Sequence, residues 1–303
     1  MRTTTGTRVR SRTGPRARAR PRAAIPNAAP VLRPMSATTG MEVAGVDLRQ
    51  PLPEETTRAI RRALCEWGVV TFRDQAIAPA QHLAFARRFG QVPPSEFLRT
   101  VAGFPQIGEI RKEPDQTRNV GGNWHSDHSF DPVPPLGAVL YARELPARGG
   151  DTLFANMAAA YDSLSDGLRE TLSSLRAVHA KRNAFHADDR PERRPSAAQR
   201  ARFDEEYAGR ECVHPVITTH PETGRRVLFV NPTYTVRFEG WTGRESAPLL
   251  QYLHAHATRP ENTCRFQWRE GSIAFWDNRT ALHYALNDYH GARRLMHRAV
   301  VAG

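Results

Sequence analysis

Between Glu54 and Trp67, apolar residues recur at helical spacing (Ile60, Ala63, Leu64, Trp67), which predicts an amphipathic helix ended by Gly68. Val69-Val70-Thr71-Phe72 follows as a strand, and residues 80–89 form a second short helix closed by Gly90. A strand is expected over 106–111. Residues 136–144 and 151–155 are expected to form a strand pair joined by a Pro-Ala-Arg-Gly-Gly turn. The stretch 157–180 has helical character, as one long helix or as two broken near Asp166-Gly167. A hairpin over 212–219 and 225–230 turns around His-Pro-Glu-Thr-Gly, and a helix covers 245–257. Strands close the chain at 263–268, 272–276, 280–285 and 293–301.

Short strands dominate the end and helices are inserted earlier. This order favours a mainly β fold with helical decoration, a double-stranded β-helix (jelly roll) core, over a parallel α/β sheet. Residues 181–210 break the pattern, being crowded with charges and holding two prolines. They are expected to be an insertion, either a lid over the site or a solvated excursion.

Composition changes the picture at one end only. The chain of 303 residues has a net charge of +12. Nine arginines and no acid fall within 1–34, which leaves +3 for the other 269 residues. The division expected is a basic N-terminal tail (1–34), disordered, and one domain (35–303). A basic arm for an acidic partner or a transit peptide are the other readings of the tail. The near-neutral body lacks the basic face of a nucleic-acid binder, so nucleic acid is not an expected partner. No apolar run spans a membrane, so none is expected there either. Cys65, Cys212 and Cys264 are isolated and odd in number, which suggests neither disulfides nor a zinc ribbon and makes the cytoplasm the expected compartment.

Chemistry enters through histidine. With 12 histidines and 31 acids, about one His-x-Asp/Glu triplet is expected by chance. Three are present: His125-x-Asp127, His186-x-Asp188 and His220-x-Glu222. The second lies in the charged insertion, where a rigid site is hard to support. The third lies in a turn and is expected to be a solvated hairpin tip. The first precedes the predicted strands at 136–155. Far downstream, the polar turn Asp277-Asn278-Arg279 leads into a strand carrying His283. Two imidazoles and one carboxylate on one face of a metal leave positions open, the ligand set of non-haem Fe(II) oxygenases.

Three passages, NWHSDHSF (123–130), GGDTLF (149–154) and FWDNRTALHYALNDYHGARRLMHR (275–298), occur in order over roughly residues 31–303. They resemble the taurine/2-oxoglutarate dioxygenase family, which also holds aryloxyalkanoate and alkylsulfate oxygenases. The resemblance implies that His125, Asp127 and His283 hold Fe(II), and that Thr152 and Arg294 bind 2-oxoglutarate. O2 would be the second co-substrate. Alternation along 293–301 puts Arg294, Met296 and Arg298 on one face, and the resemblance gives Arg298 to an anionic group of a small-molecule substrate. An ion pair is the structural reading of Arg298. Asn123 is a candidate substrate contact or a turn cap, and Trp276 is expected in the core. A homo-oligomer is expected. The reaction implied is hydroxylation of a C–H bond with release of succinate and CO2. Cleavage of a sulfonate, alkylsulfate, phosphate ester or aryloxyalkanoate follows if the carbon bears a leaving group. A non-catalytic jelly-roll binding protein is the alternative of another class. The likeness breaks at the substrate side. The run Gln-Val-Pro-Pro-Ser-Glu-Phe directly after Arg88-Phe89-Gly90 holds no histidine where the taurine enzymes have one, and Gly121 stands where they have asparagine, so taurine itself is not expected.

Overall fold

The computed structural model describes residues 29–96, 98–181 and 211–303. The tail up to residue 28, residues 182–210 of the expected insertion and the His186-x-Asp188 triplet lie outside them. The chain runs β1 (Val31–Pro34), β2 (Met41–Ala44), α1 (Glu54–Trp67), β3 (Val69–Phe72), α2 (Pro79–Arg87), β4 (Thr100–Val101), β5 (Phe104–Lys112), β6 (Gly137–Glu144), β7 (Thr152–Asn156), α3 (Met157–Asp162), α4 (Asp166–Ser173) and β8 (Arg176–Ala180). It continues with β9 (Glu211–Pro215), β10 (Ile217–Thr219), β11 (Arg226–Leu228), β12 (Thr235–Phe238), α5 (Gly243–Ala257), β13 (Thr263–Phe266), β14 (Ile273–Asp277), β15 (Ala281–Ala285) and β16 (Arg294–Val301).

The strands form an eight-stranded sheet, β1-β2-β3-β14-β6-β16-β5-β4, and a three-stranded sheet, β13-β7-β15. These two faces of the jelly roll enclose an apolar layer of Leu140, Phe154, Phe266, Trp276 and Met296. The outer face of the large sheet carries α1 and α2, through Phe72, Phe85, Phe89 and Phe275 packed edge to face. β14 shows why: Phe275 points to the helices and Trp276 to the inner layer, so both faces are buried. A third layer, with α3 and α5, covers the other side of the small sheet.

Four expectations change. Val31–Pro34, placed in the tail, pairs with β2 as β1. β6 and β7 are strands but not a pair: β6 joins β14 and β16, and β7 joins β13 and β15. The Pro-Ala-Arg-Gly-Gly segment therefore crosses between sheets rather than making a hairpin. The helical stretch stops at α4, and 176–180 is a strand between β9 and β12. The hairpin around 220–224 is β10–β11 alone, while 211–215 belongs with β8.

His82 and His179 are buried without a charge partner among the described residues, and they set an acid limit on stability. His82 and His179 are both 0% exposed. Burial pushes His82 down to about 4 and His179 down to about 3. An unfolded imidazole takes its proton near 6.5. Below that pH the unfolded chain binds protons that the folded chain refuses, so stability falls as pH falls toward the folded values. Each imidazole contributes about 1.4 kcal/mol per pH unit across that window. Urea midpoints should drop between pH 7 and pH 5, and His82→Gln should flatten the slope by one proton. An unchanged slope in that variant would contradict the assignment.

Candidate functional site

His125 and His283 meet because their backbones pair. His125 N donates to His283 O (3.1 Å) and His283 N donates to His125 O (2.8 Å), adding one rung to the free side of β15. The rings lie 4.0 Å apart. Two residues on, Asp127 turns to the same point, its Oδ1 3.7 Å from His125 Nε2 and 3.8 Å from His283 Nε2. One donor atom from each residue lies within 4.8 Å of the others, and all three residues are buried. His125 Nδ1 lies 2.7 Å from the Asn123 carbonyl, to which it donates, leaving the Nε2 lone pair free for a metal. At Gly121, φ is +76° and an added Cβ would sit 3.1 Å from the His125 ring, so a side chain here would press on that imidazole.

The other carboxylate oxygen of Asp127 is held separately. Arg298 Nη2 makes a 2.7 Å ion pair with Oδ2, and Trp276 Nε1 approaches it at 3.3 Å. Oδ1 is thus presented to the cluster alone. Trp276 Nε1 also donates to Asn278 Oδ1 (3.0 Å), which accepts from Asp127 N as well (3.3 Å). Trp276 is in the core as expected, but its indole N–H works on the site. The sequence signal for these roles of Trp276 and Asn278 is no more than a polar turn that follows an apolar strand. Burial alone would raise the Asp127 carboxyl, but Arg298, His283 and His125 together hold it well below the usual carboxylate range. Burial lowers His125, and burial with the neighbouring His125 lowers His283 further, so both imidazoles are neutral near pH 7. A carboxylate and two neutral imidazoles are the donors a divalent first-row metal takes. Asn278→Ala removes a support of Asp127 and should weaken Mn(II) or Co(II) binding by about ten- to a hundredfold. Unchanged metal affinity would show that the Asn278 side chain does not position Asp127.

Thr152 and Arg294 lie deeper. Arg294 is 5% exposed, and its Nε and Nη2 have no hydrogen-bond partner among the described residues. Its guanidinium carbon lies 5.8 Å from the Trp268 ring and 5.9 Å from the Tyr289 ring. Trp268 Nε1 donates to Thr152 Oγ1 (2.9 Å), which ties the threonine to the same wall. Gly150, at φ +73°, makes room: an added Cβ would lie 3.2 Å from Arg294 Nε. A buried cation with two unmatched donors fits a carboxylate-bearing co-substrate.

A cavity of about 930 Å³ opens on the other side, lined by His125, Asp127, Asn123 and Arg298 but not by Thr152 or Arg294. Apolar side chains such as Phe130, Val133 and Val300 form much of its wall. Arg298 is both a wall residue and the partner of Asp127, so the ion-pair reading holds at the site itself. Arg293, next to Arg294 in the chain, instead pairs outward with Glu113 and Glu144.

A second donor set, Cys65, His220 and Asp277, also converges. His220 is 2% exposed and not a solvated hairpin tip as expected. Its Nδ1 accepts from the Glu222 and Thr223 amides, so the proton is on Nε2, which donates to Asp277 (3.1 Å). Arg279 binds both oxygens of Asp277 (2.8 and 2.6 Å). With its carboxylate already neutralised by a guanidinium, this set is a structural network behind the site and a poor cation site.

Residues 32–300 match the family model described as taurine catabolism dioxygenase TauD, TfdA family. The chain is 34% identical to an alpha-ketoglutarate-dependent sulfate ester dioxygenase of Pseudomonas putida, over 90% of this chain and 89% of that one. It is 32% identical to an (S)-phenoxypropionate/alpha-ketoglutarate-dioxygenase of Sphingobium herbicidovorans, over 90% and 94%. Its fold is similar to a taurine dioxygenase from Burkholderia xenovorans (TM-score 0.75, 36% identity, 91% and 92% covered). It is also similar to AAD-2 in complex with Mn(II) and N-oxalylglycine (TM-score 0.74, 27% identity, 90% and 97% covered). The chain belongs to the TauD/TfdA family, as an Fe(II)-dependent dioxygenase with 2-oxoglutarate and O2 as co-substrates on a jelly-roll core.

Proposed function

We propose that this dioxygenase hydroxylates a C–H bond of an anionic small molecule held in the 930 Å³ cavity, with release of succinate and CO2. The observation that carries this reading is the division of Asp127: Oδ1 faces His125 and His283, and Oδ2 is occupied by Arg298. In this reading His125, Asp127 and His283 hold Fe(II), whose bound form supplies the oxidising chemistry once 2-oxoglutarate and O2 are present. Arg294 and Thr152 hold the far carboxylate of 2-oxoglutarate. The planar fork of Arg294 fixes that carboxylate through two hydrogen bonds, which an ammonium does not offer. Arg298 and Asn123 face the substrate from the metal edge of the cavity. The apolar wall excludes water from the reacting carbon.

A cavity of this size is at the upper end of the small-molecule range, which supports a substrate larger than taurine. Relatives named for sulfate ester and phenoxypropionate oxidation support a second outcome: hydroxylation at a carbon bearing oxygen, followed by collapse to a carbonyl compound. Succinate release measured across sulfate, sulfonate, phosphate and carboxylate panels tests the reading. Release that no anionic compound stimulates would count against an anionic substrate. Among the described residues, no helix is long and apolar enough to cross a membrane. A cytoplasmic setting and a homo-oligomeric form complete the proposal. Sedimentation of the purified chain reads the oligomeric state.

A further inference from the structure

Lys112 lies at the end of β5, directly across from Arg294 on β16. The lysine is 2% exposed and the arginine 5%. Like charges directly opposite on one face of a sheet repel, and a buried ammonium is costly unless paired. Among the described residues, no carboxylate pairs with Lys112. Its contacts are Asn287 Oδ1, at 2.8 Å from Nζ, and the Tyr289 ring, at 4.2 Å. The acids nearby are engaged elsewhere. Glu113 pairs with Arg111 and Arg293, Asp151 with Arg265 at 2.7 Å, and Asp288 with the Gly150 amide and Arg265. Tyr289 is shared, since the Arg294 guanidinium carbon lies 5.9 Å from the same ring. Two buried cations therefore border one aromatic ring, and the acid that acts on Arg294, Asp151, is itself paired with Arg265.

We propose that Lys112 is a second cation of the 2-oxoglutarate subsite, held by Asn287 and Tyr289 so that the far carboxylate of the co-substrate is shared between Lys112 and Arg294. This rests on the co-substrate reading of Arg294. It accounts for the cross-strand pair of like charges, one of which the carboxylate offsets on binding. It also gives Asn287 a role. Asn287 Nδ2 donates to Thr117 O (2.8 Å), which anchors the amide whose oxygen fixes the lysine head.

The test is calorimetric binding to the Mn(II)-loaded protein under anaerobic conditions, with no turnover. The two probes are 2-oxoglutarate and 2-oxopentanoate, an analogue of the same carbon length that lacks the far carboxylate. Lys112→Met should weaken 2-oxoglutarate by about ten- to a hundredfold, the scale of a hydrogen bond to a charged group, and leave 2-oxopentanoate within about twofold. Lys112→Arg should retain most of the affinity. Equal weakening of both probes would assign Lys112 a structural role and overturn the proposal, as would unchanged 2-oxoglutarate binding in Lys112→Met. Lys112→Gln, which can still donate to Asn287, reads the same ratio if the methionine variant does not fold. Arg294→Met is the control. If it loses 2-oxoglutarate while Lys112→Met does not, only the lysine inference falls. If neither variant changes binding, the co-substrate does not lie here and the reading of Arg294 falls with it.

Discussion

Replacing His283 by alanine is expected to bring turnover down to the protein-free rate and to abolish tight metal binding. Three features of the structure make this position hard to replace. Its Nε2 and that of His125 are the two imidazole nitrogens, among the described residues, that converge on Asp127 Oδ1. Its ring is wedged 4.4 Å from Trp276 and 4.0 Å from His125, so a truncated side chain leaves a gap that neighbouring donors cannot fill. Burial keeps the ring neutral and ready to coordinate. Its backbone bonds to His125 do not need the side chain, so the fold around the defect should survive. The check is metal content after dialysis against Fe(II), together with succinate release and a thermal unfolding curve. Normal turnover in a folded His283→Ala protein would remove the site assignment.

Arg294→Ala should act on a different quantity. Truncating one partner of a buried, hydrogen-bonded charge pair costs about 2–5 kcal/mol, which is about thirtyfold to several thousandfold in a dissociation constant. The half-saturating 2-oxoglutarate concentration should rise by that range. Fe(II) affinity should hold, because Arg294 contacts none of the three converging side chains. Arg294→Lys should recover only part of the loss, since an ammonium cannot present the two parallel donors of the fork. A variant whose 2-oxoglutarate requirement is unchanged would place the co-substrate elsewhere.

Much of the framework could be read from the chain because its signals are local. The run Ile60, Ala63, Leu64 before Gly68 predicts α1 to the residue, and the alternation in 293–301 predicts β16 and the shared face of Arg294 and Arg298. What could not be read was pairing across the sheets. Nothing local says that β6 and β7 belong to opposite faces, because each is a short apolar strand with both sides covered. The same limit hides the supports of the site. Asn278 acts through Asp127, 151 positions away, and Lys112 gains its meaning only from Arg294 across a strand ladder. His220 departs from expectation for a related reason: a His-Pro-Glu-Thr-Gly turn is usually solvated, but here the imidazole is buried against Asp277 from a distant strand. Motif residues that touch the reacting centre leave a mark in sequence. The residues that aim them do not.

The most direct test of the central claim is anaerobic addition of Fe(II) and then 2-oxoglutarate to the purified protein, followed by visible absorption. A weak charge-transfer band should appear only when both are present, saturate at one iron per chain, and be absent in His283→Ala. Wild-type protein that retains no iron and gives no band with 2-oxoglutarate would contradict the account.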